Sequence, residues 1–144
     1  FFWLFENIAT MTNRTKDNMS KYIHCKPTKV NAKYYSPQQR ARLFWGNIPG
    51  LSSINSNVDF LAEKKLGSYL DPIPNRHAVV DRVRTITTNT NSLLQGSDKI
   101  LPVIMRGKPS PISITEIERV FGFPEHYTDV ASLRFNERLA LLSR

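Results

Sequence analysis

The first strong signal in the chain is a block of large apolar residues, Phe1-Phe2-Trp3-Leu4-Phe5, that stops abruptly at Glu6-Asn7. Apolar positions without period-2 alternation predict a strand buried on both faces, the pattern of a central strand in a parallel sheet. A second such block, Leu43-Phe44-Trp45, ends at Gly46-Asn47 and is followed by the turn Ile48-Pro49-Gly50, so a second buried strand is expected there. Between them Met19, Tyr22 and Ile23 recur at i, i+3 and i+4, which predicts one apolar face of a helix from Asp17 to Ile23 with Thr15 or Asp17 as its cap. Val30 to Tyr35 reads as a short strand, and Ser36-Pro37-Gln38-Gln39 as the first turn of a brief helix.

Further along, Val58 to Leu66 reads as a helix capped by Asn57 and stopped by Gly67, with Phe60 and Leu61 facing inward. The stretch Val79 to Gly96 is rich in Thr and Asn and carries few apolar residues, so a role in the core is not expected of it. Ile100 to Met105 and Pro111 to Ile114 flank Arg106-Gly107-Lys108-Pro109, which predicts a hairpin with a basic tip. Ser113-Ile114-Thr115-Glu116 is a capping box, and the helix it opens puts Ile114, Ile117 and Phe121 on one face before Gly122 ends it. A last helix, started by Asp129 or Ser132, takes its apolar face from Leu133, Leu139, Leu141 and Leu142. A doubly buried parallel strand such as the first block places the chain in the α/β class.

Composition narrows the partner. The 144 residues suit one domain, and a central strand at the very front, with no βα units before it, suggests a piece of a larger α/β protein. Lys and Arg exceed Asp and Glu by 20 to 12, a net charge of +8, which favours an anionic partner such as nucleic acid. Half of that surplus lies between Arg76 and Lys108, where six basic residues face two acidic ones. No apolar run approaches membrane-spanning length, and the apolar start has neither a basic lead nor a small-residue cleavage site, unlike a signal peptide. One cysteine, Cys25, leaves no internal disulfide and fits a reducing compartment. His24, His77 and His126 are scattered, without metal-ligand spacing.

Three sets of residues carry candidate chemistry. Glu6 ends an apolar strand, where ligands gather in open α/β sheets: it is either a partly desolvated carboxylate that can hold or donate a proton or a solvated carboxylate opening a loop, and the stretch alone does not separate the two. Arg40 and Arg42, two apart in extended chain, project to one side and offer a fork for a carbonyl, phosphate or carboxylate. Arg82 and Arg84 lead into Thr85-Ile86-Thr87-Thr88-Asn89-Thr90-Asn91-Ser92, a mixture of guanidiniums, hydroxyls and amides suited to phosphates and base edges.

Three stretches in one order then match a known family: Phe-Trp-Leu-Phe-Glu-Asn, Arg-Ala-Arg-Leu-Phe-Trp-Gly-Asn-Ile-Pro-Gly, and Thr-Glu-Ile-Glu-Arg-Val-Phe-Gly-Phe-Pro-Glu-His-Tyr-Thr-Asp-Val. The chain resembles the C-terminal catalytic region of de novo DNA cytosine-5 methyltransferases of the animal class three group, and Val83-Arg84-Thr85-Ile86-Thr87-Thr88 adds to the match. The resemblance implies an α/β fold, the C-terminal portion of a Rossmann-like S-adenosylmethionine-dependent methyltransferase sheet with a small target-recognition insertion. Residues 1–50 would form the second half of the methyltransferase core, 51–110 the target-recognition region, and 111–144 the return to the core.

By the same resemblance, Glu6 is the carboxylate that holds and protonates the ring of a flipped-out cytosine at N3 while a cysteine thiolate attacks carbon 6. Arg40 and Arg42 correspond to the Arg-x-Arg pair that steadies the base. Arg82, Arg84, Thr85, Thr87, Thr88, Asn89 and Asn91 correspond to the DNA-binding recognition loop, with Asn89 and Leu94 standing where relatives carry basic residues. Arg144 corresponds to the arginine that reaches the carboxylate of S-adenosylmethionine, though the Ser-Trp pair expected after it is missing. Double-stranded DNA is the implied partner and the nucleus the implied compartment. Homo- or hetero-oligomers with methyltransferase-like subunits are also implied, through a surface near His126 and Asp129 whose arginine position holds Phe135.

The family's Phe-x-Gly cofactor motif and Pro-Cys nucleophile motif lie upstream of the matched stretch. Cys25 follows His24 and is not that nucleophile, so the chain alone is expected to transfer no methyl group. The alternative reading is a non-catalytic methyltransferase-like subunit that binds DNA or regulates another protein. The complete base-holding set of Glu6, Arg40 and Arg42 favours the enzyme.

Overall fold

A computed structural model describes residues 1–57 and 64–143. It is a mixed α/β architecture of two small sheets and three helices. The expected helix over Val58 to Leu66 falls largely outside the described residues; within them, Leu66–Tyr69 form a 3-10 turn. Arg144 lies outside them as well.

The first sheet joins β1 (Leu4–Ile8), β2 (Thr28–Asn31) and β3 (Ala41–Gly46) in the order β1-β3-β2, antiparallel throughout. The central strand is therefore β3, and β1 runs along an edge. This corrects the expectation of a doubly buried parallel strand at Phe1 to Phe5: Phe1, Phe2, Leu4 and Phe5 are exposed, because β1 has one neighbour and partial cover. Only Leu4 and Phe5 of the run belong to the strand, which continues through Glu6 and Asn7 to Ile8, so Glu6 sits in the middle of β1 and not beyond its end.

Alternation along β3 divides the sheet into two faces. Leu43 and Trp45 point to one face and are buried there. On that face the Trp45 ring lies 5.7 Å from Phe5, and its indole N–H donates to Ser20 Oγ at 3.0 Å. Ser20 belongs to helix α1 (Asn13–Ile23), which starts four residues earlier than the apolar spacing suggested because Thr12 accepts the amide of Thr15 as its N-cap. Arg42 and Phe44 point to the opposite face.

The start of β1 is bound to the end of β3 by side-chain and backbone contacts. Asn47 Oδ1 accepts the Trp3 amide and Asn47 Nδ2 donates to the Phe1 carbonyl, both at 2.9 Å. Gly46 is required by the approach of the two strands, since a Cβ there would lie 2.6 Å from the Trp3 carbonyl oxygen.

The second sheet is a meander of β4 (Arg76–Ala78), β5 (Val103–Met105) and β6 (Lys108–Ser110). Its β5–β6 hairpin turns at Arg106-Gly107, both with positive φ, as the basic tip predicted. The second strand of the hairpin starts earlier than the apolar run Pro111 to Ile114. Helix α2 (Ile114–Phe121) has the expected capping box between Ser113 and Glu116 and ends at Gly122 with φ 82°. Helix α3 (Phe135–Ser143) begins later than the Asp129 or Ser132 start expected for it.

One apolar cluster joins Leu66, Val83, Ile86, Leu93 and Val103 to Ile112, Ile117, Val120, Leu139 and Leu142. The polar-looking stretch 79–96 is thus corrected: it contributes three fully or nearly fully buried core residues. Its apolar side chains are few, but Val83, Ile86 and Leu93 converge on one cluster, which a count of polar residues conceals.

Two buried carboxylates brace this half. Glu116 takes Arg76 in a bidentate pair (2.7 and 2.5 Å) and accepts the amides of Asp71 and Ser113. Glu118 accepts the amides of His126 and Thr128, the Thr128 hydroxyl and the Arg138 guanidinium. Each buried charge has a cation and further donors, the condition under which a buried ion pair is tolerated.

Candidate functional site

The face of the first sheet opposite Trp45 forms one wall of a cleft of about 600 Å³. Glu6, Arg42 and Phe44 come to it from β1 and β3, Val30 from β2, and Arg40 from the entrance to β3. Residues of α2 and the Gly122-Phe123 segment form the other wall. Strand pairing explains the convergence. Glu6 is opposite Phe44 and Ile8 opposite Arg42, so Glu6 and Arg42 are diagonal neighbours on one face. Arg42 Nε donates to Glu6 Oε1 at 2.7 Å, and Arg42 Nη1 to the Ala41 carbonyl at 3.0 Å.

Glu6 is not the desolvated carboxylate expected of an apolar strand end. Its side chain is 44% exposed and its nearest charge is Arg42. Arg40 is the group whose environment is unusual: burial pushes its guanidinium below the ordinary value, Arg42 adds to that, and Glu6 opposes it. Two guanidiniums beside one carboxylate leave the cleft short of negative charge. A carbonyl or anionic oxygen is the chemistry that would relieve it.

Gln38 is a lining residue that the sequence reading did not single out. It is 3% exposed, and its Nε2 has no hydrogen-bond partner among the described residues. The expected helical turn at Ser36 to Gln39 does not form. Instead Gln38 pairs in parallel with Val83, with Gln39 N donating to the Val83 carbonyl at 2.9 Å and Val83 N to the Pro37 carbonyl at 2.8 Å. The chain is extended there, so Gln38, Arg40 and Arg42 follow at i, i+2 and i+4. That spacing was the available signal; the Ser-Pro helix-start pattern outweighed it.

The same bridge ties the cleft to the second set of candidates. The Thr85 hydroxyl donates to the Gln39 carbonyl at 2.7 Å. Beyond it a second, polar cleft of about 810 Å³ is lined by Gln39, Arg84, Thr85, Thr87, Asn89, Asn91, Ser92, Leu94 and Lys99. Five of the seven residues singled out in this region meet in it; Arg82 and Thr88 do not. Arg82 is half-buried with its Nε lacking a partner among the described residues, and Thr88 is exposed.

The shape of this cleft is set by two buried polar residues. Gln95 Oε1 accepts the Arg84 amide at 2.9 Å while its Nε2 donates to the Leu93 carbonyl at 2.8 Å, so one amide holds both ends of the loop. Ser92 Oγ accepts the Thr87 amide at 2.9 Å. Asn89 Oδ1 accepts the Asn91 amide at 2.9 Å and caps the 3-10 turn Thr90–Leu93. Thr85 and Asn89 therefore have local structural work, whereas the Arg84 side chain is exposed and pairs with no carboxylate among the described residues.

No protein-family model matches the chain. Among the described residues no helix is long and apolar enough to cross a membrane.

Proposed function

We propose that the chain is part of a DNA cytosine-5 methyltransferase, the part that holds a flipped-out cytosine and contacts the surrounding duplex in the nucleus. The observation that carries this reading is the convergence of Glu6, Arg40 and Arg42 on one cleft, joined through the Gln39–Val83 and Gln39–Thr85 contacts to a polar cleft rich in hydroxyls and amides. Within a Rossmann-like whole, the antiparallel sheet would form one end of the larger sheet.

The chain's own share of the chemistry follows from charge. Glu6 delivers and holds a proton at the ring nitrogen N3. Arg42, anchored by its Nε to Glu6 and by Nη1 to the Ala41 carbonyl, has Nη2 left to turn toward the base carbonyl, and Arg40 adds a second, partly desolvated cation. Donors fixed before reaction stabilise charge that develops on the ring without reorganising, and each is typically worth about 3 kcal/mol in such sites. S-adenosylmethionine would supply the methyl group. Arg144, the residue assigned to it by resemblance, is outside the described residues, and no step here depends on it.

Methyl transfer by the protein carrying its complete catalytic region is the test. Glu6→Gln keeps the shape but has no proton to give, so transfer to a cytosine-containing duplex should fall by roughly a hundredfold or more. Duplex binding should stay near wild type. Retained turnover would remove Glu6 from the reaction and leave the chain as a non-catalytic, DNA-binding subunit.

A further inference from the structure

Lys99 lines the polar cleft together with residues of the recognition loop, at a position that the sequence pattern did not mark. The pairing of Gln95 with Ile100, two backbone hydrogen bonds of 2.8 and 3.0 Å, closes residues 96–99 into a tight loop. Gly96 (φ 67°) and Lys99 (φ 51°) both take the left-handed conformation, and the reversal carries Lys99 back to line the cleft with Arg84, Thr87 and Asn91.

The electrostatics of the cleft are one-sided. Its lining carries two cations, Arg84 and Lys99, and no carboxylate. The neighbouring Asp98 takes the Ser97 hydroxyl at 3.1 Å, and neither Lys99 nor Arg84 has a carboxylate partner among the described residues. Two exposed cations in one cleft lined with hydroxyls and amides suit the anionic oxygens of a phosphodiester.

We infer that Lys99 is a backbone-phosphate contact for double-stranded DNA, acting together with Arg84 in the recognition cleft. The inference rests on the proposed DNA-binding reading and adds to it a residue and a chemical role. A phosphate contact is independent of sequence, whereas Thr87 and Asn91 carry what discrimination the cleft has. Gln95 ties the two cations' segments together: its side chain holds the Arg84 and Leu93 backbones, and its own backbone pairs with Ile100, next to Lys99.

The test is the salt dependence of binding by the 144-residue chain to two fluorescently labelled duplexes of unrelated sequence. Lys99→Asn removes the charge and tolerates the left-handed backbone, so a folding defect is not expected; Lys99→Arg keeps the charge. On both duplexes Lys99→Asn should reduce the slope of log K against log salt by about 0.9, the loss of one phosphate contact, and Lys99→Arg should retain the wild-type slope. Arg84→Ala is the comparison. If Arg84→Ala flattens the slope and Lys99→Asn leaves it unchanged, the Lys99 contact is overturned while the DNA-binding reading stands. A Lys99→Asn loss confined to one duplex overturns the phosphate assignment. No binding of either duplex by the wild-type chain overturns both.

Discussion

Arg42 Nε lies 2.7 Å from Glu6 Oε1, across a strand pair in which the two residues are diagonal neighbours. The pairing makes one unit out of residues thirty-six positions apart and fixes the orientation of both in the cleft. With Glu6 44% exposed, the pair is worth only about 0–1 kcal/mol to folding, so its value lies in orientation.

Arg42→Lys keeps the positive charge but loses the planar fork and the Nε donor. Methyl transfer by the complete enzyme should fall about tenfold or more, while thermal unfolding of the chain should shift by no more than about 1 kcal/mol. In a double-mutant cycle with Glu6→Gln the losses should be strongly non-additive, because the two side chains act as one group. Additive losses would mean that the ion pair has no part in the reaction.

Gly46→Ala tests the close approach of β1 and β3. The added methyl would meet the Trp3 carbonyl oxygen at 2.6 Å, so the strands must separate and the Asn47 contacts to Trp3 and Phe1 must lengthen. Destabilisation of about 1–3 kcal/mol is expected. Chemical denaturation measures it, and an unchanged midpoint would show that the strand ends are free to move apart.

Glu118 gives a pH signature. Burial opposes its charge, but the hydroxyl and amide of Thr128, the Arg138 guanidinium and the His126 amide outweigh that and hold its carboxyl below the ordinary 4.5. A carboxylate with a depressed folded value contributes stability that is complete above the unfolded value and is lost as pH falls through the folded one. Wild-type stability should therefore decline as pH drops below about 4.5. Glu118→Gln should remove that part of the decline and destabilise the chain at neutral pH, by less than the roughly 3–5 kcal/mol of a fully unpaired buried charge, because Arg138 keeps Asp129 at 3.6 Å. Urea denaturation from pH 3 to 7, roughly the range set by this carboxyl, compares the two slopes.

Asn89→Arg addresses sequence preference. An arginine there can read guanine with a bidentate fork, worth about 1–3 kcal/mol of discrimination, and should sharpen methylation toward CpG. The substitution also removes the Asn89 cap on the Asn91 amide, which costs about 1 kcal/mol of local stability. Bisulfite sequencing of a random-flank duplex library, treated with the complete wild-type and variant enzymes, gives the profile. An unchanged profile would place discrimination outside this loop.

The local grammar of the chain was legible from its residues. The capping box at Ser113 and Glu116, the stop at Gly122, the basic hairpin tip at Arg106-Gly107 and the apolar strand at Leu43 to Trp45 are set by neighbours in sequence, so short-range rules suffice. The i, i+2 spacing also placed Arg40 and Arg42 on one side of the chain. What the sequence could not decide was which element would be central. An apolar run is the same string of residues at a sheet centre or at an edge, and only pairing made β3 the middle strand and left Phe1, Phe2 and Leu4 exposed. The course of 36–42 was likewise settled at a distance: Ser36-Pro37 favours a helical turn, but the backbone groups of Pro37 and Gln39 find Val83, and those hydrogen bonds hold the chain extended. That one tertiary contact aligns Gln38 with the two arginines and joins the carboxylate cleft to the recognition cleft, because backbone donors and acceptors withdrawn from water must find partners wherever the fold supplies them.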